Sequence, residues 1–254
     1  MKAKSGWKTV ALACALALLA VMAALLWQLA HRETPQDARW RYAAGDILCV
    51  GDSLTSGTCF GHGLEGADIQ QRYSYYLARM LNARVDTAAV PGISVSAWFT
   101  EYAARYDYRD YDTVILWFGT NNGPANSLEA DVLSRSGPDA YAETETGYYC
   151  RLIEKIRAEN PDCLIVLVNV FASKDDVEEV NRGISSIAAH YALPLVDMSD
   201  MGSEAHPEYH AGLQNPHFGK TGNIAVASRI VDTLEIWFAA DPSRAEYGVR
   251  ALAE

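Results

Sequence analysis

Four residues stand out in this chain for chemistry they could do together: Ser53, Gly92, Asn121 and His217. Ser53 lies in GDSLTSG, directly after the apolar run DILCV. A serine hydroxyl attacks an acyl carbonyl only when a base takes its proton, usually a histidine held by a third group. His217, in QNPHFGKTGN, is the candidate base. The tetrahedral intermediate then needs N–H donors aimed at its oxyanion. Gly92, in AAVPGIS, offers an unobstructed backbone N–H, and Asn121, in FGTNNG, a side-chain amide. Taken singly, each is ordinary: a capping serine, a glycine after proline, a polar turn, a surface histidine. Their conjunction in this order points to acyl transfer to a serine.

Such residues must be held by elements that bring them to one edge. Five apolar runs read as strands: DILCV, RVDTAAV, TVILWFG, CLIVLVNV and LPLVDM. Several are nearly continuous in Val, Ile and Leu, as expected of parallel strands covered on both faces. Helical patterns follow at 74–82, 94–106, 140–160, 175–192 and 221–240. The alternation predicts an α/β fold: a three-layer α/β/α sandwich, flavodoxin-like, around a central, mainly parallel five-stranded sheet. Ligands bind beyond the carboxyl ends of such strands. The first three strands deliver GDSLTSG, VPGIS and GTNNG there, and His217 returns to the same edge just before the last helix.

These blocks resemble the SGNH (GDSL-type) hydrolases, from about Asp46 to the final helix. GDSL at 51–54 matches the first block, Gly92 falls in the second, Asn121 in the GxN of the third, and His217 with Gly222 in the last. The resemblance implies Ser53 as nucleophile and His217 as base. It implies an oxyanion hole of the Ser53 and Gly92 N–H groups and the Asn121 amide. It further implies a carboxylic ester hydrolase with no metal or other cofactor, acting on small-molecule, glycan or lipid esters. One departure matters: the family writes its last block Asp-x-x-His, and this chain has Gln214 three residues before His217. Three alternatives follow. A Ser–His pair could be helped by Gln214 or a backbone carbonyl; an acid such as Asp200, Glu204 or Glu208 could replace the aspartate; or the domain could bind glycans without turnover. The first two are favoured, because the other parts are all present. An acyltransferase variant of the same site also stays open.

The remaining features bound the setting. A net charge of −11 and the absence of a basic stripe argue against nucleic acid. The order reads as a basic N-terminus (1–8), a transmembrane anchor (9–30), a linker (31–45), the hydrolase domain (46–240) and a tail (241–254). Residues 9–30 are uncharged and long enough for a roughly 30 Å hydrocarbon core. They lack the short apolar core and small-x-small site of a cleaved signal peptide. Lys2, Lys4 and Lys8 before the span favour a cytoplasmic N-terminus and an extracytoplasmic domain. Cys14 reads as a small apolar residue of that span, and Cys59 with Cys150 is the one bridge considered.

Rival motifs fall away. GKT at 219–221 has Gln214 where a phosphate loop needs glycine, and no strand leads into it. His206 and His210 are spaced for zinc, but Pro207 intervenes and no HExxH glutamate follows. No GxSxG elbow occurs. The tyrosines of RYSYY and YDYRDYD read mainly as cover for helix flanks, and Trp98 and Phe99 as packing on the sheet. The insertion 123–139 would overhang the site and shape its specificity.

Overall fold

In a computed structural model of the chain, residues 21–22, 43–57, 72–124, 140–210, 217–241 and 243–244 are described. The chain forms two compact units, Met1–Arg39 and Trp40–Glu254. Of the first, only Val21 and Met22 are described; both are helical and exposed. The predicted anchor, 9–30, otherwise lies outside the described residues. Among the described residues no helix is long and apolar enough to cross a membrane.

The second unit runs β1 (Ile47–Gly51), α1 (Ser53–Ser56), α2 (Tyr73–Leu81), β2 (Val85–Ala89), α3 (Val95–Glu101), β3 (Thr113–Trp117), α4 (Glu145–Glu159), β4 (Leu164–Val168), α5 (Val177–Tyr191), β5 (Leu195–Val196) and α6 (Lys220–Ala240). All four strand pairings are parallel, in the order β2-β1-β3-β4-β5. Every residue of β1 and of β3 is buried, so helices cover both faces. Burying one Val, Leu or Ile side chain contributes about 1.5–3 kcal/mol, which makes this pair the centre of the core. Helix α2 packs on α6; α3 packs on α4, which meets α5.

Local chemistry sets the boundaries. Thr144 and Asp176 cap α4 and α5 by accepting Gly147 N and Glu179 N, so both helices start inside the predicted patterns. The helix predicted over 94–106 is α only to Glu101 and continues as a 3-10 turn, Ala103–Arg105. Strand β5 is short because Pro194, just before it, has no N–H for the ladder. After Val168 the ladder continues through Asn169 N to Val196 O, and the Asn169 side-chain amide adds to it, donating to Asp197 and accepting Met198 N.

Several packing expectations can be placed. Trp98 is fully buried, stacking on Tyr102 and Tyr106 and tilting onto Phe118. Phe99, by contrast, packs on Tyr148 of α4. Tyr73 and Tyr108 lie wholly inside, deeper than the helix-flank role expected of their clusters. Cys150 corrects the bridge to Cys59: it is buried inside α4 with a free thiol. Cys59 and Cys14 lie outside the described residues.

Candidate active site

Strand order does what spacing alone cannot: it makes β2, β1 and β3 neighbours, with their carboxyl ends in register. Gly51 pairs with Ala89 on one side and Trp117 on the other. The turns carrying Gly92, Ser53 and Asn121 therefore leave adjacent strands. The chain reverses its direction across the sheet between β1 and β3, where open α/β sheets bind ligands.

Ser53 is the first residue of α1 and is buried. Asp52 caps that turn, its Oδ1 accepting Leu54 N at 2.9 Å, and Gly57 closes it in the left-handed region with φ 73°. Gly51 is needed for close approach: a Cβ there would stand 2.2 Å from Thr55 Oγ1 and 2.6 Å from Trp117 O. The first turn of α1 can thus fold back directly over the ends of β1 and β3.

Gly92 occupies the third position of the turn Val90–Ile93, closed by Ile93 N to Val90 O at 3.3 Å. Proline at the second position and φ +78° at Gly92 make it a type II turn, which favours glycine there. Nothing lies within 4 Å of where a Gly92 Cβ would be, so its surroundings are open. The following helix is tied down by Glu145, which accepts both Ser96 N and Ser96 Oγ.

Asn121 follows β3 in a turn braced from the neighbouring loop: Ser173 Oγ donates to Gly119 O and Lys174 N to Thr120 O. Its Nδ2 donates to Asp52 Oδ2 at 3.1 Å. The amide is thereby bonded to the residue directly before the candidate nucleophile. Burial pushes the Asp52 carboxyl up to about 7, against the pull of Leu54 N and the Asn121 and Thr120 side chains.

His217 is buried on the loop entering α6. Phe218 anchors that loop against Trp117, Phe171 and His210, with ring centroids 6.3, 4.9 and 5.0 Å away. Trp117 is the residue paired with Gly51, so the loop rests on the end of the strand beside Ser53. Asn223 holds the loop's other side, donating to the carbonyls of Phe218 and Gly219. Gly222 now has a physical reason: a Cβ there would meet Tyr209 O at 2.3 Å and the Phe218 ring at 2.5 Å. Burial, followed by the neighbouring His210, lowers the His217 pKa, favouring the neutral base.

The candidates for orienting His217 are placed as follows. Asp200 forms an ion pair with Arg229, which also donates to Asp197 O. Glu208 pairs with His206, and Glu204 is exposed. Gln214 lies outside the described residues. His206 and His210, weighed as zinc ligands, have separate partners: His206 stacks on Tyr209, and His210 Nε2 donates to Met201 O. Among the described residues no cluster of three or more His, Cys, Asp or Glu could hold a metal.

Sequence reasoning missed Asp52. Asp52 could have been flagged as an acidic residue between a buried strand and a serine. The spacing of HPEYH favours a part in shaping the loop before His217 over zinc, and the antiparallel bridge of His210 to Phe218 places it on that loop.

The family model of the GDSL-like lipases/acylhydrolases matches residues 49–223, spanning every block of this site. The chain belongs to the GDSL-like lipase/acylhydrolase family. As a member it is a carboxylic ester hydrolase. Similar solved structures include a lipase/acylhydrolase from Enterococcus faecalis, 15% identical with TM-score 0.52, covering 75% of this chain and 95% of that one. An acetylxylan esterase from Geobacillus stearothermophilus, solved as a catalytic mutant, is 18% identical with TM-score 0.53, covering 75% and 94%. A carbohydrate esterase family 2 enzyme with a carbohydrate-binding domain, from Corynascus thermopiles (Myceliophthora fergusii), is 17% identical with TM-score 0.53, covering 75% and 65%. These likenesses concern the fold. No curated protein matches.

Proposed function

We propose that this GDSL-family hydrolase is a membrane-anchored, extracytoplasmic serine esterase that removes acyl groups from small-molecule, glycan or lipid esters. Ser53 Oγ attacks the acyl carbonyl while His217 takes its proton. The oxyanion is met by the Ser53 and Gly92 N–H groups and the Asn121 amide. Collapse expels the alcohol, protonated by His217, and leaves an acyl-Ser53 ester. Water, deprotonated by His217, attacks that ester and releases the acid.

The observation that carries this reading is the Asn121–Asp52 hydrogen bond, which ties a third-block amide to the residue before Ser53. The open type II turn at Gly92 and the pKa of His217, lowered by burial, support it. The anchor and the outward orientation rest on the uncharged segment 9–30 and the lysines before it. The neighbour that is an acetylxylan esterase favours small acyl groups on sugar hydroxyls as the first substrates to try.

The test is covalent labelling of the full-length chain in detergent with a fluorophosphonate, read by intact mass and peptide mapping. Labelling at Ser53 that disappears in His217→Ala is expected. A folded chain that takes up no probe would remove the serine-esterase mechanism and leave a binding domain on the hydrolase fold.

A further inference from the structure

We propose that Asp52 is a positioning residue, whose carboxylate decides which end of the Asn121 amide faces a substrate oxygen. This rests on Asn121 acting as an oxyanion donor.

The two ends of an asparagine amide have nearly the same shape, so its neighbours must select the orientation. An ionised carboxylate only accepts hydrogen bonds. Oδ1 of Asp52 is used by Leu54 N, and Oδ2 faces Asn121. Turning the Asn121 carbonyl toward Oδ2 would set two bare oxygens against each other, so the ionised acid holds Nδ2 there. The second N–H of that nitrogen is left for a ligand oxygen. A protonated Asp52 reverses the choice. Its O–H donates to the Asn121 carbonyl, the amide turns over, and an oxygen stands where the donor stood.

The surroundings make this proton a live variable. Asp52 is 1% exposed. The groups facing it are the Thr120 hydroxyl, the Asn121 amide and the phenols of Tyr73 (α2) and Tyr149 (α4). Burial pushes both phenols up, so they stay neutral, and among the described residues no cation is one of the main influences on the carboxyl. Burial alone raises its proton affinity into the neutral range. The carboxylate's charge opposes that of the oxyanion, so orientation and charge predict opposite effects of neutralising it.

Asp52→Asn separates them. Its carbonyl can keep the Leu54 cap, and its NH₂ then faces Asn121 as a protonated acid would. With p-nitrophenyl acetate and the full-length chain in detergent, Asp52→Asn is expected to lower kcat about 10²–10³-fold, the loss typical of one oxyanion donor. KM should change little. Asn121→Ala should lose about as much, and the double variant no more than Asn121→Ala alone. Wild-type kcat should fall as pH drops through about 7, whereas the residual rate of Asp52→Asn should hold down to the lower pH at which His217 takes up a proton. A kcat within a few-fold of wild type, or additive losses in the double variant, would overturn the proposal. Should the wild type neither turn over ester nor take up fluorophosphonate, the esterase reading itself fails. The positioning claim is then decided by NMR of [¹⁵N]asparagine-labelled protein. The Asn121 side-chain amide should titrate near pH 7 in wild type and not in Asp52→Asn. A pH-independent signal in wild type would sink it.

Discussion

A buried carboxylate that must ionise to work should cost the fold stability, and the cost can be read from pH. Burial raises the Asp52 carboxyl from its ordinary 3.8 to about 7. The folded chain then holds this proton more tightly than the unfolded chain. The stability it supplies is complete below pH 3.8 and is lost as pH rises to about 7. At 1.36 kcal/mol per unit the full loss is about 4 kcal/mol, of which about 2.3 kcal/mol falls between pH 5 and pH 7, where the folded carboxyl is half titrated. This is an upper bound, since relaxation that admits water to the carboxylate reduces it. Asp52→Asn has no such proton to lose. Urea unfolding of the full-length chain in detergent, followed by tryptophan fluorescence, should show the variant gaining on wild type by up to that amount from pH 5 to pH 7. The gain should level off above pH 7. His217 works in the opposite direction, because its pKa is lowered in the folded chain and its contribution grows as pH rises through about 6.5. That term is common to both proteins and cancels in the difference. A stability difference flat in pH would show that Asp52 is not held in a charge-hostile site, and the reasoning above would be wrong. If it holds, the same residue costs stability and aligns the site, as is common where function selects an unfavourable group.

Two further outcomes test the framework around the site. Gly222→Ala gains helix propensity but drives a methyl into Tyr209 O and the Phe218 ring. A net destabilisation of about 1–3 kcal/mol is expected by chemical denaturation, with a fall in Ser53 labelling as the His217 loop shifts. A more stable Gly222→Ala would disprove that packing. Cys49, Cys150 and Cys163 are buried, with their thiols pushed up to about 12, 11 and 12 by burial. Maleimide with mass readout should modify them only in denaturant. Modification of Cys150 in the native protein, or its recovery in a disulfide, would contradict the packing of α4.

The sequence determined what is local. Continuous apolar runs indicated strands buried on both faces, and Pro91–Gly92 indicated a turn. Ser53, Gly92, Asn121 and His217 were legible as candidates because each sits a few residues from an element whose period is visible in the chain. Helix ends were less so: Thr144 and Asp176 start their helices through side-chain bonds that hydrophobic spacing does not report. What only the tertiary structure decided is adjacency. Nothing in the chain order says that β1 lies between β2 and β3, yet that order alone sets three distant turns side by side. Asp52 owes its raised pKa to core packed around it and its partner to a residue 69 positions away. His210 meets the His217 loop through an antiparallel bridge and a ring contact with Phe218. Desolvation and pairing at such distances depend on how the whole core closes, so no window of sequence contains them.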